Sequence, residues 1–99
     1  MLENQPVRIV VCHPGQPPTV ETRDPRDPDQ IEKIIGGSWE AAYLGKGLSL
    51  YVGSDSLTTS PFNRQVGEHM VCGTFVLSRT DIRTDESISI TDADLSLGS

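Results

Sequence analysis

The chain has no block or stripe of basic residues. Its fourteen carboxylates outnumber eight Lys and Arg, a formal charge of −6, and no cationic cluster interrupts that balance. Binding to a nucleic-acid backbone depends on clustered cations that displace counterions, so direct nucleic-acid binding is not expected. No apolar run reaches the eighteen or so residues that a membrane-spanning helix needs, and none is expected to cross a bilayer. The start of the chain has no basic segment followed by a long apolar stretch, so it reads as a cytoplasmic protein rather than a secreted one. Aromatics are few, at 5%, and apolar residues make up 35%. That is lean for a globular domain. A thin core of this kind fits a single domain over residues 1–99, with a homo-oligomer as a way of covering more apolar surface.

Catalytic signatures are missing as well. There is no G-x-S-x-G elbow, no H-E-x-x-H and no phosphate-binding loop with its lysine, and no enzyme activity or cofactor is expected. The two cysteines fall in Cys12-His13 and His69-x-x-Cys72, without C-x-x-C spacing. Neighbouring residues on a strand point to opposite faces, so Cys12 and His13 do not reach one ion, and no metal site is expected. A Cys12–Cys72 disulfide is disfavoured in a reducing cytoplasm.

What is present is strand periodicity and turn chemistry. Val7 to Cys12 is β-branched and nearly continuous, as in a strand buried on both faces. Thr19 to Thr22, after Pro17-Pro18, reads as a short edge strand. Asp27, Pro28 and Gln30 predict a helix start in which Asp27 is the N-cap and Gln30 the return partner. Ile31, Ile34 and Ile35 share a helical face, and Gly36 ends the helix. Ser38 to Leu44 and Leu48 to Val52 alternate around Gly45-Lys46-Gly47, a β-hairpin signal. Gly53 to Gly67 reads as an aperiodic polar loop, Met70 to Ser78 as one strong strand with a glycine inside it, and Ser87 to Ile90 as a last strand. Thr91 with Asp94 predicts a capped final turn. The fold class is α+β: an antiparallel or mixed sheet of about five to six strands with one short main helix, in the order ββαββ-loop-ββ.

Three groups of residues are candidate binding positions. Asn63 and Arg64, late in the long loop, offer a planar fork for a carboxylate, a phosphate or a base edge, or else a turn and a solvated cation. Trp39 and Tyr43, four apart on one strand face, belong to the core or, if exposed, form a stacking platform or an interface anchor. Asp81, Asp85 and Glu86 lie in an acidic final segment that also holds Asp92 and Asp94 against Arg83. Such a segment serves solubility or attracts a basic partner.

Several pieces, in order, resemble a family of small proteins of unknown function encoded by bacteriophages, plasmids and conjugative elements. They are Cys12-His13-Pro14-Gly15, Pro18-Thr19-Val20-Glu21, Ile34-Ile35-Gly36-Gly37 before Trp39-Glu40, Pro61-Phe62-Asn63-Arg64 and Val71-Cys72-Gly73-Thr74-Phe75-Val76. The chain departs from the family pattern at Gly53-Ser54-Asp55-Ser56, where an asparagine–acid pair and a glycine are common. The resemblance implies a mobile-element origin and action in a bacterial host cytoplasm. With the acidic surface, it leads to the expectation of a non-enzymatic counter-defence protein that binds a host defence protein of CRISPR or restriction type. The alternative is an oligomeric binder that sequesters a small nucleotide signal, with Asn63, Arg64 and Trp39 in its pocket. A third reading is a regulator of the mobile element itself.

Overall fold

The structure, a computed structural model, describes residues 6–24, 27, 29–54 and 60–97. Eight strands and two short helices follow one another among them: β1 (Val7–Cys12), β2 (Thr19–Arg23), α1 (Gln30–Ile35), β3 (Trp39–Gly45), β4 (Leu48–Gly53), β5 (Phe62–Val66), β6 (His69–Cys72), β7 (Phe75–Thr80), β8 (Ser87–Ile88) and α2 (Asp92–Leu97). One sheet runs β2-β1-β7-β4-β3, with β8 added to β7, and β5 and β6 form a separate hairpin. Every pairing is antiparallel.

The β-branched runs occupy the middle of the main sheet, as expected for strands buried on both faces. Residues directly opposite in an antiparallel pair share a face, and the registers therefore sort the core into two halves. Val10, Cys12, Leu50, Phe75 and Leu77 pack with Val66 and Val71 of the hairpin and with Ile90. Ile9, Val11 and Val76 pack on the other side against Ile31 of α1, with Ile34, Ile35 and Tyr51 alongside. The main sheet thus lies between α1 and a layer built from the β5–β6 hairpin and the C-terminal segment.

Several expectations are corrected by the chain's own turn chemistry. The strand expected over Met70 to Ser78 is two strands, because Gly73 takes a left-handed φ of 75° and turns the chain from the hairpin into the main sheet. The aperiodic loop expected over Gly53 to Gly67 ends in β5, which pairs with β6 through a bulge between Phe62 and Arg64. A short bulged strand carries no clean period-two signal, so this hairpin was hidden. The expected order therefore lacks the β5–β6 pair, and α2 is a second helix. Asp29, not Asp27, is the N-cap of α1, and its side chain makes no capping bond. Asp27 Oδ1 instead accepts from Asp29 N at 3.0 Å. Gln30 accepts from Asp24 N at 2.9 Å and donates to Thr22 O at 3.0 Å, fastening α1 to the end of β2. Pro28 and residues 55–59 of the loop lie outside the described residues. No helix among the described residues is long and apolar enough to cross a membrane.

The β3–β4 turn is set by Lys46 and Gly47, both with positive φ, 55° and 86°. Two left-handed central residues give a turn whose twist matches that of the flanking strands. The expected cap at Thr91 forms reciprocally: Asp94 N donates to Thr91 Oγ1 at 3.2 Å and Thr91 N donates to Asp94 Oδ2 at 2.9 Å.

Candidate functional site

Asn63 is the extra residue of the β5 bulge, and a bulge re-aims the side chain it carries. Its amide donates to the carbonyls of Cys12 at 3.1 Å and Gly73 at 2.8 Å. Its own carbonyl accepts from Arg64 Nε at 2.7 Å. The Arg64 guanidinium then donates to the carbonyls of His13, at 3.3 Å, and Gln16, and lies over the Phe75 ring at 6.0 Å from its centre. The fork, read from the sequence as a holder of an external anion or as a turn with a solvated cation, is turned inward instead. It ties β5 to the turn after β1, where the exposed ends of backbone carbonyls need donors. Arg64 and Trp39 are not brought together. Phe75 faces the hairpin layer, whereas Trp39 packs edge-on against Tyr51, which faces the α1 side.

Cys12 and Cys72 are both buried, with no disulfide between them. Burial pushes the Cys12 thiol up to about 11, with nearby Arg64 pulling weakly the other way. His13 Nδ1 is 2.9 Å from Thr74 Oγ1.

The acidic segment is less uniform than its composition. Asp94 is buried and forms a bidentate pair with Arg79, at 2.8 Å to Nε and 2.6 Å to Nη2. The Arg79 guanidinium holds the Asp94 carboxyl below the usual carboxylate range, against the opposing effect of burial. Asp81 builds the β7–β8 turn: its carboxylate accepts from Arg83 N at 2.9 Å, and its backbone bonds to Glu86 O at 2.8 Å and from Asp85 N at 2.7 Å. Asp85 and Glu86 remain exposed on the β8 side of that turn. The turn abuts the end of the β3–β4 hairpin, since Thr80 N donates to Gly47 O at 2.8 Å and Arg79 Nη1 donates to Lys46 O at 2.6 Å.

Trp39 and Tyr43 are not core. They are 39% and 64% exposed, because β3 is the outermost strand of the sheet and α1 is six residues long. Tyr43 is held in place by its hydroxyl, which accepts from Gly47 N at 2.7 Å. The strand that carries them is itself unusual. The other edge, β2, reads Thr-Val-Glu-Thr-Arg and follows two prolines, a protected edge. β3 reads Trp-Glu-Ala-Ala-Tyr-Leu-Gly over seven residues, with one charge and no proline. Ser54 N bonds to Ser38 O at 3.0 Å, so by alternation the backbone groups of Glu40 and Ala42 turn toward β4. Those of Trp39, Ala41 and Tyr43 turn outward from the sheet.

Beside β3, on the hairpin side, runs a cleft of about 160 Å³ between Ala42, Leu50 and Val52 and the β6 residues His69 to Cys72. A second, of about 350 Å³, opens at the Tyr43–Leu44 end, against Glu68, His69 and Leu97. Exposure of β3 was not legible from its alternation, which a central strand shares. It follows from the place of β3 at one end of the strand order, which no local pattern carries.

Among the described residues no group of three or more His, Cys, Asp or Glu is placed to hold a metal ion. Neither a curated protein nor a solved structure matches the chain. The model of the family described as Domain of unknown function (DUF3846) matches residues 7–97, the span that contains every element described above, and the chain belongs to that family.

Proposed function

We propose that this protein is a non-enzymatic binding module of a phage or other mobile element, which acts in the bacterial cytoplasm by occupying a host defence protein. The observation that carries the binding part is β3: an outermost strand with outward backbone groups, flanked by exposed Trp39 and Tyr43. Strand addition at such an edge supplies affinity through main-chain hydrogen bonds, and aromatic side chains beside it anchor the partner. The acidic surface supports a defence protein as target, because proteins that handle nucleic acids carry basic grooves. The nucleotide-sequestering alternative has less support, since Arg64 donates to the carbonyls of this same chain.

The test is phage plating on paired bacterial hosts, with and without an active CRISPR or restriction system, each expressing the protein. The proposal expects plating to rise only in the defended host, and to fall back with Trp39→Ala combined with Tyr43→Ala. Unchanged plating across a panel of such defended hosts contradicts the counter-defence reading.

A further inference from the structure

We infer that the β3 edge takes up an extended basic segment of a protein partner, as an added antiparallel strand. This rests on the protein-binding reading above and names the chemistry of what is bound.

Two occupants suit an open strand edge, a second copy of this chain or a heterologous segment, and charge separates them. Each copy carries a formal charge of −6, so pairing β3 with β3 brings two acidic surfaces together. Exposed carboxylates lie on this strand and toward its turn end. Glu40 lies within β3 itself, and Glu68 lines the cleft at the Tyr43–Leu44 end. Asp85 and Glu86 lie on the β8 side of the adjoining β7–β8 turn, which is bonded to the β3–β4 hairpin through Gly47. The one cation of the hairpin, Lys46, sits in its turn. An incoming strand with Lys or Arg at alternate positions places them on the hairpin-side face, where Glu40 and Glu68 lie, while its intervening apolar side chains meet Trp39 and Tyr43 on the other face. Fields of one sign around such a strip also speed encounter with a partner of the other sign.

The experiment is calorimetric titration of the full chain with a capped peptide of about ten residues, a usual strand length, alternating Lys and Val, and with its Glu-for-Lys twin. The Lys peptide is expected to bind and the Glu peptide not. Affinity should drop severalfold when salt is raised from low to physiological strength. Ala41→Pro blocks the edge while sparing the β3–β4 ladder, because the Ala41 amide points outward, and Ala41→Lys adds a repelling charge with no backbone change. Both should weaken the Lys peptide by about tenfold or more, with circular dichroism unchanged. Equal binding of the two peptides, undiminished binding by both variants, or a dimer lost in the two variants overturns the inference. If the Lys peptide fails to bind yet both variants abolish phage plating in the defended host, the basic segment is wrong and the β3 interface stands. If plating survives both variants, the β3 interface itself is wrong.

Discussion

Asn63 and Arg64 form a clasp whose donors all serve backbone carbonyls on other segments. Removing the Asn63 amide leaves the Cys12 and Gly73 carbonyls without that donor and frees Arg64 from its orienting partner. Asn63→Ala should therefore cost about 1–3 kcal/mol, the usual penalty for orphaned buried groups, measurable by urea unfolding. Asp94 makes a different kind of prediction. Its folded-state proton affinity is lowered first by the Arg79 hydrogen bond and further by Thr91, so its stabilising effect is fully present above the ordinary carboxylate value of 3.8. That effect is lost as pH falls through the lower folded value. Asp94→Asn should cost about 1.5–3 kcal/mol at neutral pH, and the difference from wild type should shrink below pH 3.8. Urea unfolding across pH checks this; a difference that grows on acidification would be the wrong sign.

Among the elements, the β3–β4 hairpin has the sharpest local constraint. Gly47 has a φ of 86°, and a Cβ there would collide with the Thr80 carbonyl oxygen, the acceptor side of the β7–β8 turn. Gly37 has open space at the same position and no positive φ. Gly47→Ala should lose at least about 2 kcal/mol, visible as a lower melting temperature, whereas Gly37→Ala should leave it within a degree or two of wild type. The hairpin itself, β1, the edge strand β2 and the C-cap at Gly36 were all readable in the sequence, because each depends on neighbouring residues: period-two alternation, paired glycines, a proline flank. What was not readable lies where the local pattern is broken or misleads. The β5–β6 hairpin is broken in pattern by the bulge at Asn63, and Gly73 separates two strands whose apolar residues run almost continuously. Gln30 bonds back to Asp24 and Thr22 at the end of β2 rather than to the local helix start.

At the scale of the molecule, the candidate site was half legible. Trp39 and Tyr43 were visible as a pair on one face, but their exposure follows from β3 being outermost, a property of sheet order that no local pattern carries. Arg64 reads in the sequence either as a fork for an anion or as a solvated cation, and only the return of the chain near His13 and Gln16 shows what it engages. The acidic segment divides likewise, with Asp94 paired internally and Asp81 built into a turn, leaving Asp85, Glu86 and Asp92 exposed. Asp85→Asn with Glu86→Gln should leave stability unchanged, since asparagine accepts the left-handed conformation at that position, φ 63°. The same pair should weaken partner binding severalfold and flatten its dependence on salt. Titration at two ionic strengths measures both effects.

The most direct test of a protein-binding function is native mass spectrometry of the protein purified from a bacterial host, with the Ala41→Pro variant in parallel. The account predicts a complex with a host protein that is present for the wild type and missing for the variant. A chain that carries instead a ligand of small mass, released on denaturation and retained by the variant, would contradict it.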